Sequence, residues 1–575
     1  MRKLHLLYCF AFSAFLVSCG SRVNHDLVIS NVNIIDMESG EILEGSTIGI
    51  DSNRISKIYS ENVSVSWDSE ELDGKNGYLI PGLWDMHVHY QSYDHHFSKL
   101  LLANGVTGIR EMWGDMDSTN YYRSKNEQGY FGPDIYSAGR IIDGVPQYWP
   151  GSAGVSNAEE AKAEVLDQIA QGVDFIKVYS RLNQESFDAI AETAKNNGIT
   201  FAGHVPESIN LFYAVEKGMV SSEHGFGLFA AGSAKGDSLL QAGMSELKNE
   251  KLFIDTYSEV KYDSLCTVLA ESDMWLCPTL TVLKNNQNEK TYEKLRTSPL
   301  LSYIKRDVKG IWQGSQLDST RSAELTEAYE FIMKLVGKAQ EKGVKILAVT
   351  DFPNPYVFPG FNLHEELELL VEIGMSELEA LQAATSGAAA FMKKTADFGT
   401  LEEGKVASIV LLSDNPLENI SNTRTIEAVI QRGQLYDKPA LEQLLASVKK
   451  EVTSESTPYS KVFKNLNSEM GIDAALDSVT TLIKSGNPDY LLDEIDLAYV
   501  MEDLLKKGEM DELAQFGEYM TIWFPESYRA YTWSGDAYMQ AGDYEKARQQ
   551  LNKALELKPD NERAKQYLEE LKKLQ

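Results

Sequence analysis

The chain has 575 residues, too many for one compact core, and its 43% hydrophobic and 10% aromatic content is that of a globular protein rather than a disordered one. A formal charge of −31 argues against nucleic acid or an anionic membrane surface as a partner. The four cysteines, Cys9, Cys19, Cys266 and Cys277, have no CxxC spacing and give no disulfide framework.

Arg2 and Lys3 precede an apolar run, Leu4 to Leu16, too short to remain in a bilayer as a spanning helix. The following Leu16-Val17-Ser18-Cys19 resembles the lipobox of bacterial lipoproteins, which are cleaved before the cysteine and acylated on it. An ordinary signal peptide cut nearby is the plainer alternative. Acylation of Cys19 implies durable anchoring, at about 0.8 kcal/mol per buried methylene. It would hold the folded chain on the non-cytoplasmic side of a bacterial envelope, touching the membrane by its lipid anchor only. Residues 1–19 are therefore set apart from the fold.

Residues 27–80 read as short strands (LVISNVNIID, STIGIDSNRISKIYS, GYLIP) with turns at Ser39-Gly40 and Asp73-Gly74, which predicts a small antiparallel sheet. Strand-rich sequence returns at KVASIVLLSDNP and IEAVIQRGQLYD. The two pieces, 27–80 and 397–437, flank one large middle region and predict a discontinuous β-sandwich. Within 81–396, apolar runs at 83–89, 105–112, 134–138, 174–179, 199–204, 220–224, 274–281 and 345–351 alternate with helical patterns such as 158–172 and 185–198. Eight strand–helix units over about 300 residues predict an α/β fold, a (β/α)8 TIM barrel. The stretch 226–273 reads as a long helical insertion, placed to act as a lid.

From 438 to 575 the pattern changes to all-α helix pairs. TWSGDAYMQAGDYEKARQQLNKALELKPDN resembles a tetratricopeptide repeat through Trp533, Gly542, Tyr544, Ala547, Ala554 and Pro559. Weaker repeats precede it at DAALDSVTTLIKSGNPDY and DELAQFGEYMTIWFPES. Such repeats serve packing, self-association or recognition of a protein partner.

Six residues each close an apolar run: His87 and His89 in GLWDMHVH, Lys177 in DFIKVY, His204 in FAGHVP, His224 in SSEHGF and Asp351 in ILAVTDFP. His87 and His89, two apart on a strand, point to one face, and at the carboxyl end of a barrel strand that face opens into the mouth. Taken singly, each histidine reads as a satisfied core residue, Lys177 as half of a salt bridge and Asp351 as a turn residue beside Pro353. Their order argues otherwise.

Residues 27 to 437 resemble the amidohydrolase superfamily, and within it the imidazolonepropionase-like and Xaa-Pro dipeptidase-like branch. The likeness rests on PGLWDMHVH, GVTGIREM, DFIKVYS, AGHVP, SEHGF, PTLT, TDFP and FNLHEELELLVEIGMSELEALQAATSGAAAFM. It implies that His87, His89, Lys177, His204, His224 and Asp351 hold two divalent metal ions, and all six positions are filled. A lysine cation cannot ligate metal, so the resemblance implies that Lys177 is carbamylated by CO2 into an anionic bridge. His204 and His224 fall to the more exposed ion, Asp351 to the buried one. The implied reaction is hydrolysis of a C–N bond, in a peptide-like or cyclic amide, by a hydroxide bridging the metals. The exposed metal polarises the carbonyl, and Asp351 as general acid/base moves the proton to the leaving nitrogen. Histidine-rich ligation suits zinc, with manganese, nickel and iron also open.

Around these six, Tyr179 and Arg181 follow Lys177 in a loop suited to substrate contact, where an arginine clamps a carboxylate well, and Tyr148 and Trp149 offer an aromatic wall. His95 and His96 read as loop residues, His364 as support, Arg110 as an ion-pair partner beneath the site and Cys277 as a buried thiol. Two further readings stand beside the first: lactone or phosphotriester hydrolysis on the same metals, and a partner-recruiting lipoprotein scaffold with a vestigial barrel. The complete ligand set argues against the last.

Overall fold

The computed structural model describes residues 22–90, 94–127, 132–314, 321–453, 457–486, 490–559 and 561–574, so Cys19 lies outside the described residues. The chain divides into two compact units, one reaching Leu301 and resuming over Trp312–Val448, the other combining Ser302–Ile311 with the residues from Lys449 onward.

In the first unit the two strand-rich pieces meet in one seven-stranded sheet. Its order is Gln434–Asp437, Ile426–Gln431, Ile409–Leu412, Glu70–Pro81, Leu27–Ile35, Ile42–Asp51, Arg54–Tyr59. Pairing is antiparallel except between Leu27–Ile35 and Glu70–Pro81, which run parallel. The parallel pair departs from the all-antiparallel expectation because the chain makes its hairpin on one edge of the first strand and returns along the other. Irregular register at Val32 lets the sheet bend. An Arg54↔Val406 bridge then brings its last strand back to the segment that leads into Ile409–Leu412. A single core results, with Ile29, Ile48, Ile55 and Leu79 from one piece packed with Ile409 and Ile430 from the other. Gly77 is required where the pieces join, since a Cβ there would stand 2.5 Å from the Leu412 carbonyl oxygen.

The barrel strands are Leu83–Val88, Val106–Glu111, Asp134–Ser137, Phe175–Val178, Thr200–Gly203, Ser221–Glu223 and Trp275–Cys277, all parallel to their neighbours. Asp174 N–H to the Ser137 carbonyl (2.8 Å) joins the third to the fourth. The eighth element, expected over 345–351, is an extended segment held by the isolated bridges Leu276↔Ile346 and Val88↔Phe352. Asp351 has φ 60° and interrupts the ladder there. Ring closure runs through Leu347 N–H to Leu276 O (3.0 Å) and Asp351 N–H to His87 O (2.7 Å). Trp84, Met86, Met112, Tyr136, Phe175, Leu347 and Val349 fill the interior, and each such side chain contributes about 1.5–3 kcal/mol by leaving water.

Local signals set the surrounding helices. Ala158–Gln171 starts at Asn157, whose side chain accepts from the N–H groups of Glu159 and Glu160, and ends at Gly172 with φ 86°. The insertion read at 226–273 is helical, comprising Leu228–Gly232, Gly236–Gln241, Glu250–Ile254 and Glu259–Glu271. A second helical insertion, unforeseen in the sequence, lies between the seventh and eighth barrel elements and includes Leu280–Asn285, Glu289–Leu295 and Ser322–Glu341.

The second unit is helical. From Tyr459–Met470 to Glu562–Leu574 its helices pack as antiparallel neighbours on two small cores, one around Phe463, Leu476, Phe516 and Met520, the other around Tyr538, Ala547, Leu551 and Ala554. Gly542 (φ 79°) makes the tight turn between Tyr528–Gln540 and Tyr544–Leu557.

Candidate metal centre

All six predicted residues converge at the carboxyl end of the barrel. Asp351 Oδ1 stands 3.3 Å from His87 Nε2 and 3.3 Å from His89 Nε2, and its Oδ2 is 3.6 Å from His224 Nδ1. Ligand atoms of His87, His224 and Asp351 lie within 4.8 Å of one another. The His204 ring is 4.9 Å from His224, at an interplanar angle of 87°.

His87, His204 and His224 are each oriented through a ring nitrogen. His87 Nδ1 is 2.7 Å from Glu223 Oε2; with the imidazole neutral it donates there, leaving the Nε2 lone pair facing the mouth. His224 Nδ1 is 2.9 Å from Thr279 Oγ1, which itself donates to the Pro278 carbonyl and so accepts from the imidazole. His204 Nδ1 is 2.9 Å from Ser180 Oγ. Burial holds the His87 and His204 imidazoles far below their ordinary range and His224 down to about 4, so all three are neutral at pH 7. Burial would raise Asp351, but the facing rings of His87, His224 and His89 outweigh it and hold the carboxyl ionised.

Lys177 is 1% exposed, and burial pulls its amine down to about 8. Among the described residues it has no ion-pair partner, and its Nζ lies 5.9 Å from the Tyr179 ring. The salt-bridge alternative thus has no counter-ion in contact.

Do these residues fit a metal? His87 Nε2, His89 Nδ1 and Asp351 Oδ1 are buried and lack a hydrogen-bond partner among the described residues. Such atoms are costly to strand and rare in folded proteins. Neutral imidazole nitrogens beside an ionised carboxylate are the donor set of a divalent transition ion. They fit.

Beneath the mouth, Arg110 is fully buried and forked onto Glu223 (2.9 and 2.8 Å), with further bonds to Ser221 Oγ (3.0 Å), Cys277 Sγ (3.3 Å) and the Met86 carbonyl. Arg110 is therefore the supporting ion pair expected of it. Cys277 is buried, and burial pushes its thiol well above the usual range. Glu223, Thr279 and Ser180 were not anticipated. The available signal for Glu223 was its position two residues after Ser221, on the same strand face.

Tyr179 stacks on His204 (3.9 Å, 27°), Phe226 covers it at 4.4 Å and 28°, and Trp149 Nε1 donates to Tyr179 Oη at 2.8 Å. Tyr148 lies 5.9 Å from Tyr179, so the aromatic residues form one continuous surface beside the site. Arg181 Nη1 donates to the carbonyls of Pro146 (2.9 Å) and Gln147 (3.3 Å), bracing the loop that carries Tyr148 and Trp149. His364 binds Thr423 Oγ1 (2.9 Å) and the Asn104 carbonyl (3.1 Å), away from the mouth. His96 is buried against Phe97, and the side chain of His95 lies outside the described residues.

A family model described as Amidohydrolase family matches residues 78–436. The chain belongs to the amidohydrolase family. It is a hydrolase of that family with a TPR repeat match over residues 535–564. It is 24% identical to the ochratoxinase of Aspergillus niger over 422 residues, 63% of this chain and 76% of that protein. A 39% match over 90 residues to the adenine deaminase of Staphylothermus marinus spans 15% of each. Among solved structures, a bottromycin amidohydrolase aligns with TM-score 0.59 at 21% identity, over 74% of this chain and 90% of that one. A Xaa-Pro dipeptidase with bound methionine aligns with TM-score 0.53 at 21% identity, over 72% and 99%. Both share the fold.

Proposed function

We propose that this chain is a binuclear metal-dependent hydrolase of amide bonds, with His87, His89, Lys177, His204, His224 and Asp351 holding two divalent ions, zinc by preference. The observation that carries the reading is the convergence of ligand atoms of His87, His224 and Asp351 within 4.8 Å, with His87 Nε2 and Asp351 Oδ1 buried and without a hydrogen-bond partner among the described residues, beside a buried lysine that has no ion-pair partner there. When bound, the ions would acidify water and polarise a substrate carbonyl.

The chain's own residues supply the rest. At an amine value of about 8, roughly a tenth of Lys177 is neutral at pH 7, against well under a thousandth for an ordinary lysine. That neutral fraction is what attacks CO2, loses a proton and becomes an anionic carbamate. Glu223 holds His87 in the tautomer that leaves Nε2 free. Asp351, ionised and within 3.3 Å of His87 and His89, accepts the proton of the attacking water and returns it to the leaving nitrogen. Tyr179, Phe226 and Trp149 exclude water on the His204 side. Relatives named as an amidohydrolase and a Xaa-Pro dipeptidase support amide substrates.

The test is a screen of the full chain, supplied with zinc and bicarbonate, against dipeptides, N-acyl amino acids and cyclic amides, with Lys177→Ala as blank. Release of amine or ring opening absent from the blank is the expected result. Silence across all amides from metal-loaded protein would overturn the amide assignment and turn attention to lactones and phosphotriesters.

A further inference from the structure

A cavity of about 130 Å³ opens beside His224. Its walls come from four separate stretches: Phe226 after the sixth strand, Phe229 in Leu228–Gly232, Leu283 in Leu280–Asn285, and Leu325, Ala328 and Ile332 on one side of Ser322–Glu341. The cavity is thus built by both helical insertions and is continuous with the metal centre through His224. Its size is close to the roughly 150 Å³ of an apolar cavity that admits benzene.

Two acids also line it, and their bonding decides what it accepts. Glu246 is buried with its oxygens taken by the N–H groups of Gly227 (2.9 Å) and Ala230, so it caps the helix Leu228–Gly232. Glu250 is paired with Arg321 at 2.5 Å. Neither carboxylate offers an uncompensated charge to a basic side chain. The remaining walls are mostly hydrocarbon, with Asn286, Tyr329 and the His224 ring as the other polar members of the lining.

Resting on the amide-hydrolase reading, we infer that this cavity is the specificity pocket of the enzyme and receives an apolar side chain of leucine to phenylalanine size next to the scissile amide. The groups that set the preference are Ala328, Ile332, Leu283 and Phe229. Burying such a side chain in place of a methyl group favours the larger substrate by about tenfold or more.

The test compares kcat/KM for matched amides carrying alanine, leucine, phenylalanine or lysine on either flank of the bond, using the metal-loaded full chain. Wild type is expected to favour leucine or phenylalanine over alanine by about tenfold or more on one flank. Ala328→Phe fills the cavity, so the leucine-to-alanine and phenylalanine-to-alanine ratios of kcat/KM should fall to near one with bound metal unchanged. Ile332→Ala should shift the optimum toward a naphthylalanine substrate. A lysine preference in wild type, or an unchanged preference in both variants, would overturn the inference while leaving amide hydrolysis intact. Should wild type turn over no amide, titration with isobutylbenzene decides. Binding to wild type that is lost in Ala328→Phe supports the pocket, and no binding to wild type overturns it. If Ala328→Phe fails to fold, Ile332→Ala and the titration carry the test.

Discussion

Two buried polar layers lie one above the other in this barrel, and their difference separates support from function. In the lower layer Arg110, Glu223, Ser221 and Cys277 bond to one another, and the guanidinium also lies 4.9 Å from the Phe391 ring. In the upper layer His87 Nε2 and Asp351 Oδ1 are also buried but have no hydrogen-bond partner among the described residues. A satisfied buried network rigidifies; an unsatisfied one of neutral imidazoles and a carboxylate is an invitation to a cation. His87 belongs to both layers, bonded below through Nδ1 and open above through Nε2.

The comparison breaks most sharply at Asp351. Asp351→Asn keeps size but removes the proton carrier proposed above, so kcat should fall by about 10²–10⁴ with metal content near wild type and an unchanged melting temperature. A variant that retained full turnover would move Asp351 into the supporting layer.

Glu223→Gln attacks the lower layer. It leaves Arg110 buried without its counter-charge, at a cost of about 3–5 kcal/mol, and loosens the hold on His87, which should weaken metal binding about 10–100-fold. Chemical denaturation and metal titration read the two effects separately. Lost metal affinity with unaltered stability would show that the layers are not coupled as described.

A buried acid outside both layers gives the smaller, pH-dependent effect. Glu366 accepts from Leu280 N–H (2.9 Å), Thr281 N–H (2.8 Å) and Thr281 Oγ1 (2.7 Å), yet burial pushes its carboxyl up to about 7. The folded state therefore holds the proton more tightly than the unfolded state, whose value is near 4.5. The resulting stabilisation is complete below pH 4.5 and is lost as pH rises through 7, about 3 kcal/mol in all. Melting curves of wild type and Glu366→Gln should diverge across this window, wild type losing stability relative to the variant as pH rises. Parallel curves would mean that the carboxyl titrates normally.

The upper layer was legible in the sequence because its residues end apolar runs, and a strand's end in a barrel is its mouth. The lower layer was only half legible. Arg110 announced itself as a charge inside a strand, whereas Glu223, inside the run 220–224, shows no role until Ser221 and Glu223 are seen to share one face toward Arg110. Likewise 345–351 reads as a regular strand, but Asp351 at φ 60° trades ladder pairing for the position that brings its carboxylate to the histidines. The walls of the cavity beside His224 were beyond reach, since they depend on how the two insertions that flank the strand Trp275–Cys277 pack together.

Metal analysis of the full chain, purified with zinc and bicarbonate, tests the central claim most directly when wild type and Lys177→Ala are measured together. The account predicts two zinc ions per chain in wild type and their loss from the folded variant. Metal-free wild type, or a Lys177→Ala protein that still binds two ions, would contradict it.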